Sequence, residues 1–215
     1  TGNTLGVNFN RSTYEQFYGI DYTNPYFTPE GVSRSLSFSV SRTDPGSMAN
    51  GDTGYITNEY DLGMIFTIPI GQEANAFDRL VVGGTYQNTL INLNTGNPST
   101  ISNQVNTYVT NHGRRFQEGD LRVGLTRDSR DRAMFPTSGS VQTLFLDGYV
   151  PLAKDSVFFY TANYHAKLYQ PIHGPFIFVT RGDLGYANAF DGTRNYPFFR
   201  NYFTGGIDSV RGDRK

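Results

Sequence analysis

Alternation with a period of two residues runs through most of this chain, and it constrains the fold more than any other feature. The clearest stretch begins at Val32. Val32, Arg34, Leu36, Phe38 and Val40 fall on one face, while Ser33, Ser35, Ser37, Ser39 and Ser41 fall on the other. Such strict alternation marks a β-strand, whose successive Cβ atoms point to opposite sides of the pleat. The pattern recurs around Leu5 to Phe9, Tyr18 to Tyr22, Tyr60 to Ile68, Leu80 to Tyr86, Leu121 to Leu125, Leu144 to Val150, Phe158 to Leu168 and Phe178 to Tyr186. With the Val32 stretch these make nine predicted strands, and no convincing helix is read. Ile65 and Phe145 are exceptions, apolar residues on otherwise polar faces.

Strands with one apolar face suit either a sandwich or a membrane barrel. Three features favour the barrel. The strands are long enough to cross a bilayer at a tilt, which takes about 9–11 residues. Tyr14, Tyr26, Phe27, Tyr60, Phe158, Tyr169 and Phe176 sit near predicted strand ends, as in an aromatic girdle. Connections near residues 11–13 and 151–156 are short, whereas 43–58 and 91–117 are long, polar and rich in Gly, Asn and Thr, like external loops. Composition agrees: 15 Tyr, 17 Phe and 24 Gly with a mean hydropathy of −0.45 fit a barrel whose apolar residues are diluted by a polar interior.

The predicted class is therefore all-β, a transmembrane antiparallel up-and-down β-barrel. Nine strands would leave two open edges, and each orphaned backbone group in hydrocarbon costs several kcal/mol. Residues 1–215 are accordingly expected to be part of a larger barrel. Thr1 and the absence of a signal peptide are read as those of a mature or truncated product.

Other classes find little support. A formal net charge of −1 gives no electrostatic case for nucleic acid as a partner. With no cysteine there is no thiolate chemistry or disulfide, and no run of 18 apolar residues suggests a membrane helix. Neither metal-ligand spacing nor a cofactor fingerprint is present. His165 stands on a polar face where it could meet Asp147 or Asp183. No nucleophile can be named beside it, so a lumenal hydrogen-bonding role is preferred and no catalytic residue is assigned. Arg127, Asp128, Arg130, Asp131 and Arg132 alternate in sign, which suits a self-neutralising solvated turn. The tripeptide Arg211-Gly212-Asp213 is too short a motif to carry an adhesion role.

Three motifs remain, and they carry a resemblance. The first is Asn24-Pro25-Tyr26-Phe27, followed by Thr28-Pro29-Glu30-Gly31. The second runs from Asp128 and Asp131 to Phe135-Pro136-Thr137-Ser138-Gly139, where Pro136 and Gly139 are expected to reverse the chain. The third is Phe203-Thr204-Gly205-Gly206 followed by Ser209-Val210-Arg211-Gly212. In this order they resemble the BamA family of outer-membrane barrel-assembly proteins. The first two motifs resemble periplasmic turns of that family, and the third is similar to its sixth extracellular loop, although Asp213 stands where an aromatic is expected.

The resemblance implies that residues 1–215 correspond to the third through eleventh strands of about sixteen, without the family's POTRA domains. It implies insertion of β-barrel clients into the bacterial outer membrane, by membrane thinning and lateral opening that exposes a strand edge for clients to pair with. Implied partners are outer-membrane lipids, nascent barrels and the lipoproteins of the assembly complex; no cofactor is implied. Val210, Arg211 and Gly212 would anchor the loop in the lumen, Arg211 reaching carboxylates on strands expected to lie outside this chain. The alternatives are a two-partner secretion transporter or a passive porin or receptor barrel.

Overall fold

The computed structural model describes residues 2–48, 54–73, 76–94, 101–190 and 196–200. Nine strands form one sheet: β1 (Thr4–Arg11), β2 (Glu15–Asn24), β3 (Ser33–Thr43), β4 (Tyr55–Glu73), β5 (Ala76–Leu93), β6 (Arg115–Asp128), β7 (Gly139–Pro151), β8 (Phe159–His173) and β9 (Phe176–Ala189). They lie side by side in chain order, every pair antiparallel. Among the described residues β1 and β9 each have one hydrogen-bonded neighbour, so the sheet is open. That is the up-and-down topology expected of part of a barrel.

Register places the alternating residues in rows. Outward, Phe9 lies opposite Tyr18, Tyr18 opposite Val40, and Val40 opposite Tyr60. Leu5, Val7, Leu62, Leu121, Leu146 and Leu184 are all exposed on this side. An exposed apolar surface of this extent is unsuited to water and suited to hydrocarbon. Aromatic residues gather on it towards one end: Phe9 packs edge-on to Tyr18 at 5.1 Å, and Phe158 and Tyr160 pack on Phe190 at 4.2 and 4.7 Å.

The two exceptions to the pattern have one cause. Ile65 faces Gly83 and Phe145 faces Gly124 across the ladder. A Cβ built on Gly83 would stand 2.9 Å from Cα and Cγ1 of Ile65, and one on Gly124 would enter the Phe145 ring. Each large side chain occupies the space that a glycine on the neighbouring strand leaves empty.

The connections correct one expectation. The connections that leave β1, β3, β5 and β7 all start from one end of the sheet, here the loop end. The segments near 11–13 and 151–156 therefore share an end with the long loops and do not alternate with them. The other end, the turn end, carries 25–32, 129–138 and 174–175. Tyr60 likewise stands within β4 rather than at its end.

A second correction concerns helix. Besides α1 (Pro45–Met48), the loop after β5 contains α2 (Asn103–His112). Ser102 caps it, its Oγ accepting from Val105 N at 3.2 Å, and Gly113 closes it at φ +78°. Val105, Tyr108 and Val109 form its buried face. They pack with Tyr55, Ile91, Phe116, Val157, Phe159 and Phe198 into a buried apolar cluster. Tyr55, Ile91, Phe116 and Phe159 have the parity of the polar face. The apolar core thus sits inside the curve of the wall, at the loop end. No helix among the described residues is long and apolar enough to cross a membrane.

Candidate functional site

The inner face of the wall is polar because one residue in two is polar along each strand. Four rows matter. Glu59 faces Thr89, and Thr89 faces Phe116. Asp61 faces Gln87, and Gln87 faces Glu118. Thr85 faces Asp120, and Asp120 faces Tyr149. Arg122 faces Asp147, and Asp147 faces Thr161. Five carboxylates from β4, β6 and β7 are therefore gathered on a few neighbouring rows.

Most of them are held by hydrogen bonds from adjacent strands. Ser39 Oγ donates to Asp61 at 3.1 Å, and Thr89 Oγ1 to Glu59 at 3.0 Å. Arg122 Nε donates to Asp147 at 2.5 Å while Thr161 Oγ1 donates to the other oxygen at 3.2 Å. Glu118 differs. It is 1% exposed, and no donor among the described residues hydrogen-bonds either of its carboxylate oxygens.

The segment after β9 meets this acidic wall. Residues 198–200 form a 3₁₀ turn, with Arg200 N donating to Pro197 O at 3.0 Å. Phe198 enters the apolar cluster edge-on to Tyr55 and Tyr108, at 5.0 and 5.3 Å. Phe199 packs on Phe116 at 5.2 Å, and Tyr196 stands edge-on to Phe159 at 5.2 Å. The turn then directs Arg200 onto the carboxylates. Its Nη1 lies 3.3 Å from Glu59 Oε1, and its Nη2 donates to Gln87 Oε1 at 2.9 Å and lies 3.8 Å from Glu118 Oε2. Tyr196 Oη donates back to Arg200 O at 2.9 Å.

The lumenal arginine foreseen from the sequence was Arg211. Val210, Arg211, Gly212, Gly205 and Gly206 lie outside the described residues. Within the described part of the segment after β9, the arginine placed on acidic residues of the inner wall is Arg200, which no sequence pattern singled out. Its acceptors Glu59 and Gln87 lie 141 and 113 residues earlier in the chain.

The two turn motifs are both at the turn end. In the first, Asn24 Oδ1 accepts from Tyr26 N at 3.1 Å, and Phe27 N donates to Val32 O at 2.8 Å. Pro25 begins the turn, and Gly31 ends it at φ +88°. Phe27 folds back onto Phe66 at 5.8 Å, with the Arg34 guanidinium 4.4 Å over its ring. Glu30, beside Gly31, has its carboxyl lowered from its ordinary value chiefly by its own backbone N–H.

In the second motif, Asp131 Oδ1 accepts from the backbone N–H of Thr137 and of Ser138, at 2.8 and 3.1 Å, and Oδ2 accepts from Thr137 Oγ1 at 2.6 Å. Those bonds, led by the Thr137 hydroxyl and aided by Arg132, pull the Asp131 carboxyl down to about 2. Arg130 forks onto Asp128 at 2.9 and 2.7 Å. Phe135, before Pro136, is 85% exposed at φ +54°. Gly139 has φ +96°, and a Cβ there would run into the Ser129 carbonyl. The alternating charges thus build the turn itself, beyond neutralising each other.

His165 faces Asp183, not Asp147. Its Nδ1 is 2.7 Å from Asp183 Oδ1, and Arg181 Nε donates to the other oxygen at 2.8 Å. Among the described residues no group of three or more His, Cys, Asp or Glu is arranged to hold a metal ion. The inner wall is thus a polar surface, and the segment after β9 is seated on the apolar plug at its loop end.

Comparison with known proteins sets this geometry in context. The sequence profile of the Omp85 superfamily domain matches residues 1–213. The outer membrane protein assembly factor BamA of Neisseria meningitidis serogroup B is 25% identical over 219 residues, covering 99% of this chain. The chain spans 26% of that relative's length. The crystal structure of BamA from Haemophilus ducreyi lacking POTRA domains 1–3 superimposes with a TM-score of 0.77 at 25% identity, covering 98% of this chain and 40% of that one.

Proposed function

We propose that this chain, which belongs to the Omp85 superfamily, forms barrel wall of an outer-membrane insertase that folds β-barrel proteins into the bacterial outer membrane. The observation that carries this reading is the wall itself. Nine sequentially paired strands present exposed apolar residues outward and a polar face inward, with buried and half-buried carboxylates on β4, β6 and β7, and all nine lie within the span that matches the superfamily. Such a wall performs no bond chemistry. Its work is mechanical: it completes a barrel whose seam, on strands outside this chain, offers a backbone edge to which a client strand adds by hydrogen bonding, inside a membrane where that edge is otherwise costly. The partners proposed are unfolded outer-membrane barrels, the surrounding lipids and the lipoproteins of the assembly complex.

Depletion of the intact protein in its own cells tests the reading. Folded outer-membrane barrels should fall together while their unfolded forms accumulate in the periplasm. Unchanged barrel levels, with loss only of small-solute uptake or of one secreted substrate, would replace the insertase with a porin or a dedicated transporter.

A further inference from the structure

Among the described residues no hydrogen-bond donor reaches the buried carboxylate of Glu118, and such a group is costly unless a cation compensates it. The nearest cation that the structure gives it is the Arg200 guanidinium at 3.8 Å, which also meets Glu59 at 3.3 Å and Gln87 at 2.9 Å. These acceptors come from β4, β5 and β6. Arg200 itself belongs to none of the strands. It follows Phe198 and Phe199, whose rings, like that of Tyr196, pack on the aromatic residues of the plug. Aromatic packing on a cluster of Tyr and Phe tolerates rotation and sliding, whereas a guanidinium shared between two carboxylates and an amide fixes both position and direction.

We propose that Arg200 is a positioning residue, an electrostatic lock that fixes the root of the loop following β9 to the acidic wall of β4–β6. The lock holds Tyr196 to Arg200 in one place and one direction on that wall. It is separate from the Val210-Arg211-Gly212 motif, being formed before that motif in the chain and with acceptors this chain supplies. Its consequence for client insertion rests on the insertase reading; the lock itself does not.

The chain has no cysteine, so Val157→Cys supplies a single reporter. Val157 is fully buried in the plug, and cysteine replaces it as a small apolar group. Intact protein in outer-membrane vesicles, otherwise cysteine-free, is treated with a water-soluble maleimide. With Arg200 present the thiol should label slowly. Arg200→Gln and Arg200→Glu should raise its rate about tenfold or more, because each leaves Glu118 unpaired. Arg200→Lys should restore most of the protection, since it returns the charge without the fork. If Arg200→Gln does not fold, Glu59→Gln with Glu118→Gln reads the same lock from the wall side and should also speed labelling. Labelling at the wild-type rate in Arg200→Gln, or a Lys variant as unprotected as Gln, overturns the proposal. The readout needs no client, so failure of the lock and failure of the insertase reading are separate results.

Discussion

An arginine placed on the outer or the inner face of the wall should behave in opposite ways. Val123 lies midway along β6, outward, opposite Val82 on one side and Leu146 on the other, with Leu121 and Leu125 next along the strand. All three β6 residues are exposed. If this surface faces hydrocarbon, Val123→Arg costs about 2–4 kcal/mol at mid-depth. That corresponds to a loss of roughly 30- to 1000-fold in the folding equilibrium constant. Asn163, on the inner face of β8, lies between Phe145 and Gly185, and the nearby wall already accommodates Arg122 on Asp147. Asn163→Arg should therefore change stability by no more than about 0.5 kcal/mol. Equilibrium urea unfolding of the intact protein in lipid vesicles, followed by gel mobility of the folded form, measures both. Equal costs, or a neutral Val123→Arg beside a costly Asn163→Arg, would refute the assignment of faces.

Other substitutions test the turns and the plug. The Asp131 carboxyl is pulled from an ordinary value of 3.8 to about 2 by folding. It therefore contributes stability above about pH 4, which is lost as pH falls through about 2. Amide exchange of Thr137 and Ser138 should accelerate across that window, and Asp131→Asn should flatten the dependence. Gly139→Ala places a Cβ against the Ser129 carbonyl at φ +96°, so it should destabilise the folded form by more than about 1 kcal/mol. Slower appearance of the folded gel band measures it, and a wild-type rate counts against the turn geometry. Phe116→Ala removes a fully buried ring that touches Tyr108 and Phe199. It should cost about 3–5 kcal/mol, seen as faster hydrogen exchange in α2 while the β2–β3 ladder stays protected.

Much of the architecture is legible in the sequence because a period of two is a local signal. All nine strands can be placed from it, and the outward and inward residues follow, as at Leu36 and Ser37. What escapes is set by residues distant in the chain. Ile65 and Phe145 look like breaks in the pattern until register brings Gly83 and Gly124 opposite them. Helix α2 leaves a fainter trace: Ser102 before Val105, Tyr108 and Val109 is a cap followed by helical spacing, hidden in a polar loop. Connection lengths mislead because both short and long segments occur at the loop end. Arg200 carries no local signature at all. Its role depends on the register of β4, β5 and β6, which brings Glu59, Gln87 and Glu118 together beneath it.

The central claim is that this wall belongs to a machine that inserts other barrels. It is tested most directly by the rate at which an unfolded β-barrel client gains its folded gel mobility in phospholipid vesicles, with and without the intact protein. The account predicts acceleration of about tenfold or more, a barrier lowered by at least roughly 1.4 kcal/mol, and loss of that acceleration when a peptide mimicking a client's terminal strand is in excess. Client folding at the same rate in empty and protein-containing vesicles would contradict it.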